Sequence, residues 1–212
     1  MKAIVLLSGG IDSTVVLAMA QSLGRECTAL SFDYGQRHKV ELEHAAHIAH
    51  YYKVPQIIIN ISPACFENTA LVNALNVPKN RTLDEISKGG IPSTYVPARN
   101  TLFLAYAAGQ AEIMNAEEIH CGPNLLDRNC YPDCRPEFYS AFQQVLASAT
   151  KQGAEGNPPR IVTPLINWDK NRIVQEGRKL GAPLDTTFSC YSPSAGKACG
   201  MCDACILRQE AL

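Results

Sequence analysis

Two stretches of this chain, one near each end, hold residue types that could do chemistry. Near the amino end, Ser8-Gly9-Gly10-Ile11-Asp12-Ser13-Thr14 gathers two adjacent glycines, three hydroxyls and a carboxylate into seven positions. Adjacent glycines let a backbone approach a phosphate closely, and the amides that open a helix point at it. The loop lacks a Gly-Lys-Ser/Thr ending and the Gly-x-Gly-x-x-Gly pattern, so it is neither a Walker loop nor a dinucleotide fingerprint. The plainer alternative is a Gly-Gly turn in which Asp12 or Ser13 merely caps a helix. Toward the carboxyl end, Cys190, Cys199, Cys202 and Cys205 place four thiols within sixteen residues, with Gly196 and Gly200 for the turns between them. Four thiolates suit one tetrahedral Zn²⁺ whose closed shell leaves no position for chemistry. An iron–sulfur cluster or a redox Cys-x-x-Cys pair would use the same residues, and spacing alone does not separate them.

These stretches need a frame to hold them. Ala3–Leu7 reads as a buried strand, and Val15, Val16, Leu17 and Met19 continue the chain into a helix, so the glycine loop is a strand-to-helix turn. Further strands are expected over Arg25–Phe32, Gln56–Ile61, Glu118–Cys121 and Ile161–Leu165. Helices are expected over Lys39–Tyr52, Thr101–Asn115, Pro136–Lys151 and Lys170–Leu180, the last closed by Gly181. Residues 62–92 give a mixed signal, with a short helix and a loop around Lys88-Gly89-Gly90. Residues 122–135 are turn-rich and polar, which predicts a mobile or substrate-covered loop. Alternating strands and helices predict an α/β fold, a parallel sheet with helices on both faces.

Composition narrows the function classes. A chain of 212 residues with 46% hydrophobic and 18% charged residues can bury a core of its own. Its formal net charge of -1 lacks the basic surplus of a protein that grips a nucleic-acid backbone, so no nucleic-acid partner is expected. No stretch approaches the roughly 20 apolar residues of a membrane span, and the first residues do not read as a signal peptide. Nine cysteines form an odd set, unlike a closed disulfide framework, and free thiols suit the reducing cytoplasm. His44, His47 and His50 do not keep three ligands on one helix face and read as ordinary helix residues. Cys134 has no base identifiable beside it.

Ser8 to Ser13 resembles the pyrophosphate loop (PP-loop) of the ATP pyrophosphatases, which grip the terminal phosphates of ATP and transfer AMP to a substrate oxygen. Four more strings join it: Ser31 to His38, Tyr95-Val96-Pro97-Ala98-Arg99-Asn100, Tyr131 to Phe138, and Ser189-Cys190-Tyr191 leading to Cys199 through Cys205. In this order, from Ser8 to Arg208, they resemble the 7-cyano-7-deazaguanine synthase family of queuosine-precursor biosynthesis. The resemblance implies a Rossmann-like adenine-nucleotide hydrolase fold, with a catalytic domain over 1–185 and a zinc-binding tail over 186–212 packed on it. One departure is Gly122 to Cys130, where the family more often reads Gly-x-Asn-Ala-x-Asp-Tyr-Ser-Gly.

The implied substrates are ATP with Mg²⁺, 7-carboxy-7-deazaguanine and ammonia. On the resemblance, Ser8, Gly9, Gly10, Ile11, Asp12, Ser13 and Thr14 hold ATP, with Asp12 acting through Mg²⁺ or bracing the loop. Phe32 and Tyr34 flank adenine. Arg99 offers a fixed cation that forks onto phosphate oxygens, and Lys170 reaches phosphate. Asp133 accepts from the ring N–H and amino group of the guanine-like base, and Arg135 neutralises the substrate carboxylate. Each has a plainer reading: core packing for Phe32, a surface salt bridge for Arg99, a turn residue for Asp133, a solvated helix start for Lys170. Cys190, Cys199, Cys202 and Cys205 hold the structural zinc, since no redox-cofactor signature accompanies them. Rival functions are a tRNA-thiolating PP-loop enzyme and a zinc- and nucleotide-binding module without turnover. Sequence leaves open the ammonia source, the oligomeric state (a homodimer among the options) and the roles of Cys121, Cys130 and Cys134.

Overall fold

The computed structural model describes residues 1–36, 39–66, 69–72, 76–88 and 90–212. Arg37 and His38, at the end of the second string, and Gly89 of the expected glycine loop lie outside the described residues. Five strands, β1 (Lys2–Leu6), β2 (Glu26–Asp33), β3 (Gln56–Asn60), β4 (Glu118–His120) and β5 (Arg160–Val162), form one sheet in the order β3-β2-β1-β4-β5. Every pairing is parallel. The chain reverses its strand order beside β1, where an open α/β sheet leaves a crevice at the carboxyl ends of its strands.

Nine helices accompany the sheet among the described residues: α1 (Ile11–Ser22), α2 (Val40–Tyr51), α3 (Leu83–Lys88), α4 (Arg99–Met114), α5 (Leu125–Cys130), α6 (Pro136–Ala149), α7 (Lys151–Ala154), α8 (Lys170–Lys179) and α9 (Asp203–Ala211). Strand alternation sorts the core into two layers. Ala3, Val5 and Ala29 pack with Val15, Val16, Ile48 and Ile173 of α1, α2 and α8. Ile4, Leu30 and Ile119 point to the other face, where Leu104 of α4 and Phe142 and Leu146 of α6 cover them. A third, small cluster gathers Ala70, Val77, Cys190, Cys202 and Cys205. Helices therefore cover both faces, as the alternating pattern predicts.

Three local expectations change. Residues 122–135 are not an irregular loop: Asn124 and Asp127 form a reciprocal capping box that starts α5. The fifth strand ends at Val162 because Pro164 follows and cannot continue the ladder. The tail carries a helix, α9, which closes against α8 through the Arg178 bond to Leu212 O.

Candidate active site

The site grows from the carboxyl end of β1, where the chain turns into α1. Gly9 takes φ +87°, and a Cβ there would lie 2.4 Å from Glu41 O and 2.8 Å from Ala45 N of α2, so only glycine fits. Gly10, where a Cβ would meet only ordinary contacts, serves as the N-cap of α1, and no side chain caps that helix among the described residues. Its first turn therefore presents backbone N–H groups to the crevice. Ser13 Oγ accepts from Ser8 N (3.2 Å), lies 3.2 Å from Ser8 Oγ and donates to Gly10 O (3.1 Å). Thr14 is buried with its hydroxyl donating to Gly10 O (2.8 Å), so it shapes the loop from beneath. Ile11 is a core side chain at 2% exposure, leaving its backbone as the part a ligand can meet.

Two lobes of a cleft meet at this turn. The larger, about 280 Å³, is lined by Phe32, Tyr34, Arg99, Phe103, Tyr131 and Asp133 among others. The smaller, about 170 Å³, is lined by Gly10, Asn124, Lys170, Ser189 and Arg208 among others. Ser8, Asp12, Ser13, Glu41, Asp127 and Tyr191 border both. Lys170 Nζ lies 2.7 Å from each carboxylate oxygen of Asp12, and Asn124 Nδ2 donates to Asp12 Oδ2 (3.1 Å).

In the larger lobe, Phe32 stacks on Phe103 with ring centroids 3.9 Å apart and planes 3° from parallel. Arg99 opens α4 just after Ala98, whose φ of +55° is a strained value for a residue with a side chain. A cation at a helix start also opposes the helix dipole. Both costs fall on adjacent residues, as functional sites tend to concentrate them. The Arg99 Nε is buried and without a hydrogen-bond partner among the described residues. Burial works against its charge, yet its pKa stays raised and the guanidinium protonated, with the Asp133 carboxyl among the groups that favour it. An orphaned guanidinium nitrogen in a cleft fits an anion. Asp133 is buried; its Oδ2 accepts from Asn100 N (3.1 Å) in the first turn of α4, which leaves Oδ1 for a ligand. Arg135 does not join them: it is exposed, precedes Pro136 at the start of α6 and lines neither lobe.

Asp127, Asn124 and Tyr191 were not singled out from sequence. Asp127 sits at the junction of the lobes; burial and the neighbouring Asp12 charge push its carboxyl up to about 6, with Lys170, Asn124 N–H and Arg99 opposing. The available signal was Asn124-x-x-Asp127, a capping-box spacing. Burial pushes the Cys121 thiol up to about 12 and raises those of Cys130 and Cys134 as well.

The four tail cysteines converge, with their sulfur atoms all within 4.8 Å of one another. Cys202 and Cys205 sulfurs are 3.5 Å apart, those of Cys199 and Cys205 4.0 Å. A tetrahedron with Zn–S bonds near 2.3 Å has edges of about 3.8 Å, so the donors fit. Met201 N and Cys202 N donate to Cys199 Sγ, and Tyr191 N donates to Cys202 Sγ, the bonds that orient thiolate ligands.

Residues 2–212 match the family described as queuosine biosynthesis protein QueC. Proteins named 7-cyano-7-deazaguanine synthase are close in sequence. The one from Leptospira interrogans serovar copenhageni is 47% identical over 210 residues, covering 99% of this chain and 85% of the relative. That from Thermosynechococcus vestitus is 49% identical over 212 residues, covering 99% and 90%. Among solved structures, the U34-tRNA thiolase NcsA from Methanococcus maripaludis, with its [4Fe-4S] cluster, superposes at TM-score 0.52 and 16% identity, over 100% of this chain and 64% of that one. NMN synthetase from Francisella tularensis superposes at 0.52 and 19% identity, over 95% and 69%. These two share the fold.

Proposed function

Because the chain belongs to the queuosine biosynthesis protein QueC family, we propose that it converts 7-carboxy-7-deazaguanine and ammonia to 7-cyano-7-deazaguanine with ATP. Carboxylate and amide oxygens are poor leaving groups, and adenylation turns each into a good one. The carboxylate oxygen attacks the α-phosphate and expels pyrophosphate; ammonia then displaces AMP to leave an amide. A second ATP activates the amide oxygen, and loss of AMP and a proton leaves the nitrile.

The observation that carries this reading is the junction of two unlike lobes at the Ser8–Thr14 turn. Helix-start amides and Ser8 there hold the pyrophosphate, while Lys170 supports its charge and Asp12 braces Lys170. Mg²⁺ arriving with ATP would be held near Asp12 and would screen the phosphate charges there. In the larger lobe Phe32 and Tyr34 form the wall for adenine, Arg99 meets the reacting anion, and Asp133 Oδ1 reads the deazaguanine ring. Asp127, whose carboxyl burial and the Asp12 charge push up to about 6, stands at the junction of the lobes, where it takes the proton shed by the nitrogen once ammonia has attacked. The tail cysteines hold zinc as a closed structural site, and the free thiols fit a cytoplasmic location. The tRNA-thiolating alternative needs a reactive thiolate, whereas burial raises Cys121 and Cys134 in the larger lobe.

Substrate labelled with ¹⁸O in its carboxylate tests the reaction path. One label should appear in each of two AMP molecules per nitrile. Label in pyrophosphate, or AMP without label, contradicts adenylation of the substrate.

A further inference from the structure

One backbone strap joins the two chemically equipped ends of the chain. Residues 186–191 run from beside α2 past the glycine loop into the cysteine cluster. Thr186 O lies 2.5 Å from His44 Nδ1, and the Phe188 ring stacks on His44 at 5.1 Å and 20°. Phe188 N donates to Gly9 O (2.9 Å), and the Gly10 Cα faces Phe188 O and Ser189 Oγ. Gly9 is also packed against α2, whose Glu41 O and Ala45 N fill the space where a Cβ would stand. Two residues on, Cys190 is a member of the cluster, its sulfur accepting from Cys199 N (3.3 Å). Tyr191 N donates to Cys202 Sγ, and Tyr191 borders both lobes of the cleft. From α9, the Arg208 guanidinium donates to Thr187 Oγ1 (2.6 Å) and Leu184 O (3.2 Å).

We infer that the four-thiolate site and the phosphate loop are energetically coupled through this strap, with the Phe188 backbone N–H as the link, so that bound nucleotide and bound metal each tighten the other. The inference rests on nucleotide binding at Ser8–Thr14 and metal binding at the cysteines. Its physical basis is reciprocity: if metal fixes Cys190 and with it the Phe188–Gly9 bond, then a nucleotide that needs Gly9 and Gly10 in place must strengthen metal retention by the same factor. A purely structural staple, remote from chemistry, would give no such link.

The test measures Zn²⁺ affinity of the intact protein by competition with a colorimetric chelator, with and without saturating non-hydrolysable ATP analogue. Calorimetry confirms separately that the analogue binds. We expect the analogue to tighten Zn²⁺ binding about fivefold or more. Phe188→Ala, which keeps the N–H, should retain most of that gain. Phe188→Pro, which removes the N–H, should lose it while still holding one zinc. Analogue that binds the wild-type protein without changing its zinc affinity overturns the coupling and leaves the proposed reaction standing. No analogue binding at all overturns both.

Discussion

Lys170 Nζ sits 2.7 Å from both carboxylate oxygens of Asp12, tying the start of α8 to the first turn of α1 at the edge of the smaller lobe. Coming from residues far apart in the chain, the two side chains fix a cation beside a helix start whose amides are uncapped. A lysine held this way keeps donors for a phosphate while its partner sets its position.

Removing either side of that arrangement should damage ATP handling. Asp12→Ala and Ser8→Ala are each expected to lower kcat/KM by about 2–4 kcal/mol of transition-state stabilisation. Steady-state kinetics with ATP varied will read this, and full activity in both variants would remove the loop from the mechanism.

Asp133→Asn should separate the two ligands. The asparagine carbonyl keeps the bond from Asn100 N, so its NH₂ turns toward the cleft and faces ring donors. A buried donor–donor mismatch costs about 1–3 kcal/mol. Substrate affinity should fall tenfold or more by calorimetry, with ATP affinity close to wild type. Equal loss for both ligands would point to a folding defect instead.

The purified protein should contain about one zinc per chain, and Cys202→Ala should lower both metal content and melting temperature. Elemental analysis that finds iron with labile sulfide would contradict the assignment.

A pH dependence of stability should arise away from the cleft. Glu118 on β4 is 1% exposed and accepts from Arg25 Nε (2.8 Å), His120 Nε2 (2.9 Å) and Arg160. Burial alone would raise its carboxyl, but those three partners bring it down to about 2. A depressed carboxyl contributes stability above its unfolded value, and that contribution fades as pH falls from about 4.5 toward 2. His120 acts in the same sense: burial lowers its pKa, so protonation below its ordinary value of 6.5 opposes folding. The contribution of this cluster should therefore fall from about pH 6.5 downward, against the opposite effect of Asp127 taking up its proton between about 6 and 3.8, and acid melts should show stability falling most steeply below 4.5. Glu118→Gln should cost about 1.5–3 kcal/mol at neutral pH and flatten the steep part. An unchanged acid profile in Glu118→Gln would exclude the cluster as its source.

Local strings made the loop and the four cysteines legible from sequence, because each lies within a few residues and needs no partner from elsewhere. The sheet was legible through its alternating apolar runs. What sequence hid depends on neighbours distant in the chain. Arg135 belongs to the same string as Asp133, yet the turn into Pro136 sends it to solvent while Asp133 stays beside α4. Asp127 acquires its raised carboxyl only from burial beside Asp12, 115 positions earlier. Phe188 shows no periodicity at all, and its bond to Gly9 follows from where the tail folds back.

The most direct measurement is product analysis by mass spectrometry after incubating the protein with ATP, Mg²⁺, ¹⁵N-ammonium and 7-carboxy-7-deazaguanine. The account predicts a transient ¹⁵N-amide and then the ¹⁵N-nitrile, with two AMP formed per nitrile. Substrate left unconverted while ATP binds normally, or an amide that accumulates without any nitrile, would contradict it.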